Sequence, residues 1–158
     1  MKKTLAIIAL LLISISLFYG CEKEEVTKPP EPPAQAQETL WKKLNTKFLT
    51  LYHQGLYSEA ATVAKEALKV AKNTFGSNHP DVATSLNNLA ALYHNQGKYA
   101  EAEPMYKRSL AIYEKALGPD HLRVAASLNN LAELYRQIGK EDEAEKLEAR
   151  AKKIRSDK

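Results

Sequence analysis

The chain has 158 residues, of which 44% are hydrophobic and 27% are charged, and its formal net charge is +4. This composition fits one globular domain and excludes a chain that is disordered throughout. Two of the 23 basic residues, Lys2 and Lys3, precede an apolar run, so the rest has 21 basic and 19 acidic residues. That balance gives no electrostatic reason to expect nucleic acid as a partner.

Residues 1–20 have the pattern of a secretory signal peptide. Lys2 and Lys3 precede the run LAIIALLLISISLF. The run is short for a membrane-spanning helix, which needs about 20 apolar residues. We therefore predict a signal peptide over 1–20, with an uncleaved signal anchor as the alternative.

Cys21 is the only cysteine of the chain and follows this run directly. The stretch LFYGC resembles the lipobox of bacterial lipoproteins, although Phe18 and Tyr19 depart from the usual pattern. The resemblance implies that Cys21 carries lipid, palmitate included, and tethers the protein through its N-terminus to the bacterial cell envelope. Glu22 is not the aspartate associated with inner-membrane retention, which favours the periplasmic face of the outer membrane if the cell has one.

Residues 22–38 read EKEEVTKPPEPPAQAQE and contain four prolines, many charges and a single large apolar residue. Such a segment buries too little apolar surface to fold, and its prolines favour extended polyproline II. We predict that residues 21–38 form the lipidated cysteine and a disordered linker, which acts as a spacer.

The hexapeptide SLNNLA occurs at residues 85–90 and again 42 residues later, at 127–132. Between positions 79 and 102, 15 of 24 residues are identical to the residue 42 positions further on. A third, less similar copy precedes these two. A fixed period of 20–50 residues indicates stacked structural repeats.

Each copy predicts two helices joined by a glycine turn. Leu86, Leu89, Ala90 and Tyr93 share one helical face, and Gly97 follows where a helix would end. A second amphipathic helix follows, and no strand pattern is present. We therefore predict six helices within a domain over 39–158, with repeats at about 40–78, 79–120 and 121–158.

The outer copies differ from the central one as the ends of an array should. In the last helix, charged residues replace three apolar or aromatic ones, since Glu141, Glu148 and Lys152 stand where Tyr99, Tyr106 and Leu110 stand one repeat earlier. A terminal repeat has no neighbour on its outer side, so that side should be polar. We predict a complete short solenoid.

The 42-residue period, together with LNNLA, GKYAEAEP and KRSLAIYEKALGPDH, resembles the tetratricopeptide repeat of the kinesin-light-chain type. The resemblance implies an all-α, right-handed superhelical solenoid of three antiparallel helix pairs. It also implies that the first helix of each pair lines a concave groove that binds a protein or an extended peptide.

The resemblance places a set of side chains in this groove. On the three first helices these are Lys43, Thr46, Leu49, His53, Thr84, Asn88, Ala91, Asn95, Asn130, Glu133 and Gln137. It implies that Asn88 and Asn130 hydrogen-bond the main chain of a bound peptide, because an amide both donates and accepts. Asn87 and Asn129 lie at the boundary of groove and core. For all four asparagines, hydrogen bonds between neighbouring repeats are the alternative.

Motifs of catalysis are absent from the sequence: it has no HExxH, GxSxG, CxxC or phosphate-binding glycine loop. His79 and His121 occupy equivalent turns and are predicted to cap or pack. His53 and His94 lie one position apart in the repeat, but no carboxylate or cysteine ligand recurs beside them. We expect no catalytic residue, cofactor, metal or small-molecule substrate.

These observations predict a non-catalytic, membrane-tethered scaffold that binds a peptide or partner protein in its concave groove. The binding should be weak, in the micromolar range, with little demand for charge. The alternative is an assembly factor or accessory subunit of an envelope complex of the secretin, pilus or outer-membrane assembly type. That protein would act through its convex or end surface.

Overall fold

The computed structural model describes residues 33–157, which form six helices and no strand. The predicted signal peptide, Cys21 and most of the predicted linker lie outside the described residues. The helices are α1 (Ala34–His53), α2 (Tyr57–Phe75), α3 (Pro80–Asn95), α4 (Tyr99–Leu117), α5 (Leu122–Gln137) and α6 (Glu141–Ser156). The prediction of six helices in an all-α fold is confirmed.

Helix α1 begins earlier than expected. The linker was predicted to extend to residue 38, but residues 34–38 are helical and Pro33 precedes the first helical residue. The reason is local, because the last proline of the linker is Pro33 and the following AQAQE consists of good helix formers. The linker prediction is therefore wrong for its last five residues.

Glycine turns close each helix pair. Gly97 has φ +71°, in the left-handed region that favours glycine. Its N–H donates to the carbonyl of His94 at 2.9 Å, and the N–H of Lys98 donates to the carbonyl of Tyr93 at 2.8 Å. This pair of bonds satisfies the last carbonyls of α3 and reverses the chain into α4.

Histidines begin the first helices of the second and third repeats. His79 Nδ1 accepts from the N–H of Asp81 at 3.2 Å, and His121 Nδ1 accepts from that of Arg123 at 3.1 Å. Pro80 occupies the first turn of α3, where its missing N–H costs nothing. The prediction of a capping role for both histidines is confirmed.

The core repeats with the sequence. Leu89 and Leu131, 42 residues apart, are 4% and 3% exposed, as the helical face predicted. Ala60, Ala102 and Ala144 occupy one repeat position and are each fully buried. Helices pack against their chain neighbours, so the second helix of each repeat contacts the first helix of the next. The result is a solenoid in which each repeat covers its neighbour.

The last repeat has the polar outer side that its sequence predicted. Lys152 of α6 is exposed and Glu148 is half-buried, whereas Tyr106, which holds the same repeat position as Glu148, is 2% exposed. Nothing of the described chain follows α6 to cover these positions, and their charge keeps them solvated.

Candidate interaction groove

We call the side of α1, α3 and α5 that carries Asn45, Asn87, Asn88 and Asn130 the groove face. Asparagine pairs cross it from repeat to repeat. Asn88 Nδ2 donates to Asn45 Oδ1 at 2.8 Å, and Asn130 Nδ2 donates to Asn87 Oδ1 at 3.0 Å. Both bonds span 43 residues, so they join the first helices of successive repeats. We call this series the asparagine ladder.

The ladder changes the roles predicted for four asparagines. The expectation that Asn88 and Asn130 keep their amides for a bound peptide is wrong in part, because each uses one N–H between repeats. A carboxamide has two N–H donors and an accepting oxygen. Within residues 33–157 the second N–H and the oxygen of both amides make no hydrogen bond. The ladder therefore stabilises the stack and still leaves polar atoms for a ligand.

Helix α6 ends the ladder. Arg155 Nη2 donates to Asn129 Oδ1 at 3.4 Å, and with the Asn129 amide turned over its oxygen accepts from Nη1 at 2.7 Å and from Nη2 at 3.2 Å. Arg155 thus bonds the asparagine that a further repeat would bond. Asn129, predicted as a groove or inter-repeat residue, lies at this closed end.

A second arginine, Arg136 of α5, connects α5 to α6 at the same end of the stack. Arg136 holds the Glu148 carboxylate with two nitrogens, and the contact of Nη2 with Oε2 measures 2.6 Å. This hydrogen bond lowers the pKa of Glu148 and raises that of Arg136. Bidentate pairing of this kind fixes geometry as well as charge.

A small hollow between α3 and α5 collects part of the predicted groove. Its volume is about 210 Å³, and it is lined by Thr84, Asn87, Tyr113, Arg123, Ala126, Ser127 and Asn130. Thr84 Oγ1 is 2.7 Å from the Tyr113 hydroxyl and accepts from Arg123 Nη1 at 3.1 Å. The Arg123 guanidinium lies 5.7 Å from the centre of the Tyr113 ring. We call this the Arg123 hollow.

The guanidinium of Arg123 is available for a ligand. Its side chain is exposed, and within the part of the chain that the structure describes no carboxylate lies within 4.0 Å of it. Two ladder amides, those of Asn87 and Asn130, line the same hollow. The hollow therefore combines one cation with amide and hydroxyl groups, which suits a carboxylate beside a peptide backbone.

The first repeat holds Lys43 and Thr46 in a separate hollow. This hollow has a volume of about 430 Å³ and runs along α1, lined by Thr39, Lys42, Lys43, Thr46, Lys47 and Thr50. Ser85, the counterpart of Lys43 one repeat later, is 1% exposed and accepts from Trp41 Nε1 at 2.9 Å. Lys42, not Lys43, is the counterpart of Thr84. Lys43 therefore faces the free end of the stack more than the groove.

Other predicted groove residues are spread along the face. Asn95 Nδ2 donates to the Tyr52 hydroxyl at 2.6 Å, another bond between repeats. Gln137 Nε2 contacts Glu133 Oε1 at 3.4 Å within α5. Of the remaining residues, Leu49 is 43% exposed, His53 is exposed and Ala91 is half-buried.

A hollow larger than these two lies at the C-terminal end, not in the groove. It has a volume of about 600 Å³ and is lined by Asn129, Glu133, Glu145, Glu148, Ala149, Lys152 and Arg155. It lies between α5 and α6, on the side where a further repeat would stack. The structure therefore places some of the predicted groove residues in the Arg123 hollow, the α1 hollow or this end, and leaves the others along the groove face outside these hollows.

Three residues of the site were missed from the sequence. Asn45 could have been found, because it precedes Asn87 by 42 residues. Arg123 precedes Asn130 by seven positions on one helix face, but aspartate and threonine occupy its counterparts, so the repeat gave no signal. Tyr113 belongs to a second helix, and only the structure shows that it reaches the groove.

Groups of acidic, histidine or cysteine residues that could bind a metal are absent from residues 33–157. Within the same range, no helix has the length and apolar character to cross a membrane.

Comparison with known proteins gives both a family and a fold. The family model for the tetratricopeptide repeat matches residues 49–115 and 81–157. Among curated protein sequences, none matches the chain.

Solved structures resemble the helical stack. The crystal structure of BtubC (BKLC) from P. vanneervenii matches with a TM-score of 0.72 and 27% identity over 85% of this chain and 50% of that one. A kinesin-light-chain-like protein from Podosopora anserina with nearly identical TPR-like repeats matches with a TM-score of 0.68 and 24% identity, over 80% and 58%. The TPR domain of Arabidopsis FLU matches with a TM-score of 0.66 and 20% identity, over 77% and 99%.

The last two resemblances show the fold alone, because their sequence identity is low. The chain spans 50% and 58% of the first two structures, so it corresponds to part of those longer proteins.

Proposed function

The chain belongs to the tetratricopeptide repeat family, whose domains bind proteins or peptides, and from this we propose that it is a non-catalytic scaffold. It is tethered to the envelope of a bacterium and binds an extended segment of a partner protein on its groove face. The Arg123 hollow is the observation that supports this proposal most strongly. There an exposed guanidinium lies beside two amides of the asparagine ladder.

The groups of the groove face define the ligand. Free amide atoms of Asn88 and Asn130 match the N–H and C=O groups of an extended main chain. Arg123 adds a requirement that the amides alone do not impose, namely a carboxylate at one position of the ligand. We therefore propose a peptide segment with one acidic side chain, or a C-terminal carboxylate, opposite Arg123. This revises the expectation of little demand for charge.

Calorimetry with a partner captured by crosslinking in the native envelope tests this proposal. We expect Arg123→Ala to weaken binding by roughly tenfold, because it removes charge-assisted hydrogen bonds. Replacement of the partner's acidic group by its amide should weaken binding to the natural chain but not to Arg123→Ala.

Arg108 provides the matched control. It is exposed on α4, and its guanidinium contacts the loop residues Ser77 and Asn78, away from the groove face. Arg108→Ala should leave the affinity unchanged. Equal affinities for the natural chain and a folded Arg123→Ala chain would exclude the Arg123 hollow as the binding site.

The tether is the second part of the proposal and is supported by the sequence alone. The apolar run that ends at Cys21 suits a signal peptide followed by a lipid anchor. Cys21→Ser should release the protein from the membrane fraction or leave an unacylated precursor, which mass spectrometry detects. Unchanged mass and unchanged membrane association would exclude lipidation.

The alternative of an assembly factor has one observation in its favour. A hollow of about 600 Å³ lies at the C-terminal end, where Glu133 and Glu145 are exposed. A partner that docks there would be lost in Glu133→Gln with Glu145→Gln and retained in Arg123→Ala. The groove proposal predicts the reverse.

A further inference from the structure

One side of α1 is left without a neighbour in the described chain. We call Leu40, Lys43 and Lys47 the N-terminal face. Their counterparts in the second repeat are Val82, Ser85 and Leu89, which are 1%, 1% and 4% exposed because the first repeat covers them. In the first repeat the same positions are open, and Leu40 is 39% exposed.

The composition of the N-terminal face differs from that of the other end. Lys43 and Lys47 make no ion pair within residues 33–157, and only Lys42 beside them is paired, with Glu38 at 2.6 Å. Residues 34–78 together carry six lysines and three glutamates. The N-terminal face itself carries two lysines without an ion pair in the described chain, whereas α6 closes the last repeat with arginine bonds and mixed charges.

Exposed apolar side chains also concentrate in the first repeat. Of the five large hydrophobic residues that are exposed in the described chain, four belong to it: Leu40, Leu49, Leu56 and Tyr57. An α-helix turns by 100° per residue, so Leu40 and Leu49 point in directions about 180° apart around the axis of α1. Lys42, Lys43 and Lys47 lie between these two leucines, on the exposed half of the helix. Lysine interspersed with leucine is typical of surfaces that lie on a lipid bilayer.

The short stretch of chain between Cys21 and α1 limits how far this face can lie from a membrane that holds Cys21. Only eleven residues separate Cys21 from Pro33, and an extended chain spans at most about 3.5 Å per residue. If Cys21 carries lipid, α1 cannot lie more than roughly 40 Å from the bilayer. An anionic phospholipid surface has the charge that the lysines attract, and the attraction amounts to roughly fivefold in affinity for each lysine near the surface.

We infer that the N-terminal face docks on an anionic lipid bilayer and holds the first repeat against the membrane. The groove face between α3 and α5, with the Arg123 hollow, then remains open to a partner. The inference rests on the proposed anchor at Cys21 for its position in the cell, but the affinity for lipid is a property of the folded repeats alone.

Cosedimentation with vesicles tests the inference on a chain that begins at Glu22, which retains every described residue but has no cysteine to acylate. We expect this chain to bind phosphatidylcholine vesicles that contain phosphatidylglycerol, to bind pure phosphatidylcholine less, and to lose affinity as salt is raised. Lys43→Gln with Lys47→Gln should weaken binding by at least about tenfold.

Lys152→Gln with Lys153→Gln is the matched control, since it removes the same charge from exposed positions of α6. It should leave vesicle binding almost unchanged, and melting curves should show that all chains are folded. Equal losses in the two variants, or equal binding to both kinds of vesicle, would overturn the inference. Partner affinity and Cys21 acylation are measured separately, so this failure would leave the proposed function standing.

Discussion

The asparagines on the groove face also connect neighbouring repeats by hydrogen bonds. Asn88 and Asn130 each donate to an asparagine of the preceding repeat, and Trp41 of the first repeat donates to Ser85 of the second. Polar atoms at a half-buried interface must find partners, and here the sequence repeat supplies them at a fixed distance. The asparagines of SLNNLA therefore have a structural role before any ligand binds.

A double-mutant cycle measures the ladder. Asn45→Ala and Asn88→Ala should show a coupling free energy of about 0.5–1.5 kcal/mol in chemical denaturation, because they share one hydrogen bond. Thr46 precedes Asn88 by the full repeat length, and its hydroxyl bonds the Lys42 carbonyl instead. Thr46→Ala and Asn88→Ala should therefore be additive, and coupling of the same size in this second pair would contradict the ladder.

Glu148 should contribute to stability in a pH-dependent way. The hydrogen bond from Arg136 lowers the pKa of Glu148 in the folded state. The contribution is therefore present above the unfolded pKa, roughly 4.3, and is lost as the pH falls through the folded-state value. Glu148→Gln should be less stable than the natural chain at neutral pH, with the gap closing in acid. A gap that is independent of pH would show that the ion pair adds no stability.

At the level of elements, short turns determine how the helices pair. Gly97 adopts φ +71°, and a Cβ added to it would meet no atom within 4 Å. The demand for glycine there comes from the backbone angle, not from lack of space. The turn between α3 and α4 should therefore accept another residue only at the cost of a left-handed conformation.

Substitution of Gly97 separates the two causes. Gly97→Ala should destabilise the protein by about 1–2 kcal/mol, because alanine is strained at positive φ. Gly97→Asn should cost less, although its side chain is larger, since asparagine tolerates this region. Thermal unfolding of both variants is the measurement. A greater loss with asparagine would mean that steric contact matters more than the backbone angle.

At the largest scale, residues 33–157 form a short stack with two interfaces between repeats. Leu89 is 4% exposed and Leu131 is 3% exposed, and both belong to first helices that contact the preceding repeat. Each repeat of a solenoid is stabilised largely by its neighbours. A stack of three units has few such contacts to lose.

Truncation of Leu89 should therefore affect the whole array. We expect Leu89→Ala to cost about 2–5 kcal/mol and to lower the melting temperature of all helices in one transition, followed by circular dichroism. Leu49→Ala, at a position 43% exposed, is the control and should change stability little. Partial melting of only one repeat in Leu89→Ala would show that the repeats unfold independently.

The helices could be predicted from the sequence, but parts of the candidate site could not. Hydrophobic spacing and the 42-residue period predicted six helices, the glycine turns and the burial of Leu89. It could not show that Tyr113 reaches the groove, because contacts between second and first helices depend on three-dimensional packing. The role of Arg155 could not be predicted either. Arg155 bonds Asn129 where the asparagine of a further repeat would do so, but the repeat pattern of the sequence does not indicate an arginine at this position.

The location of the partner on the groove face is the central claim, and site-specific photocrosslinking in living cells tests it most directly. A photoreactive residue would replace Ala126 in the Arg123 hollow, or Ala111 and Ala116, which are exposed on α4. We predict one partner adduct from position 126, lost on addition of Arg123→Ala, and none from positions 111 and 116. Adducts from α4 with none from position 126 would contradict the claim.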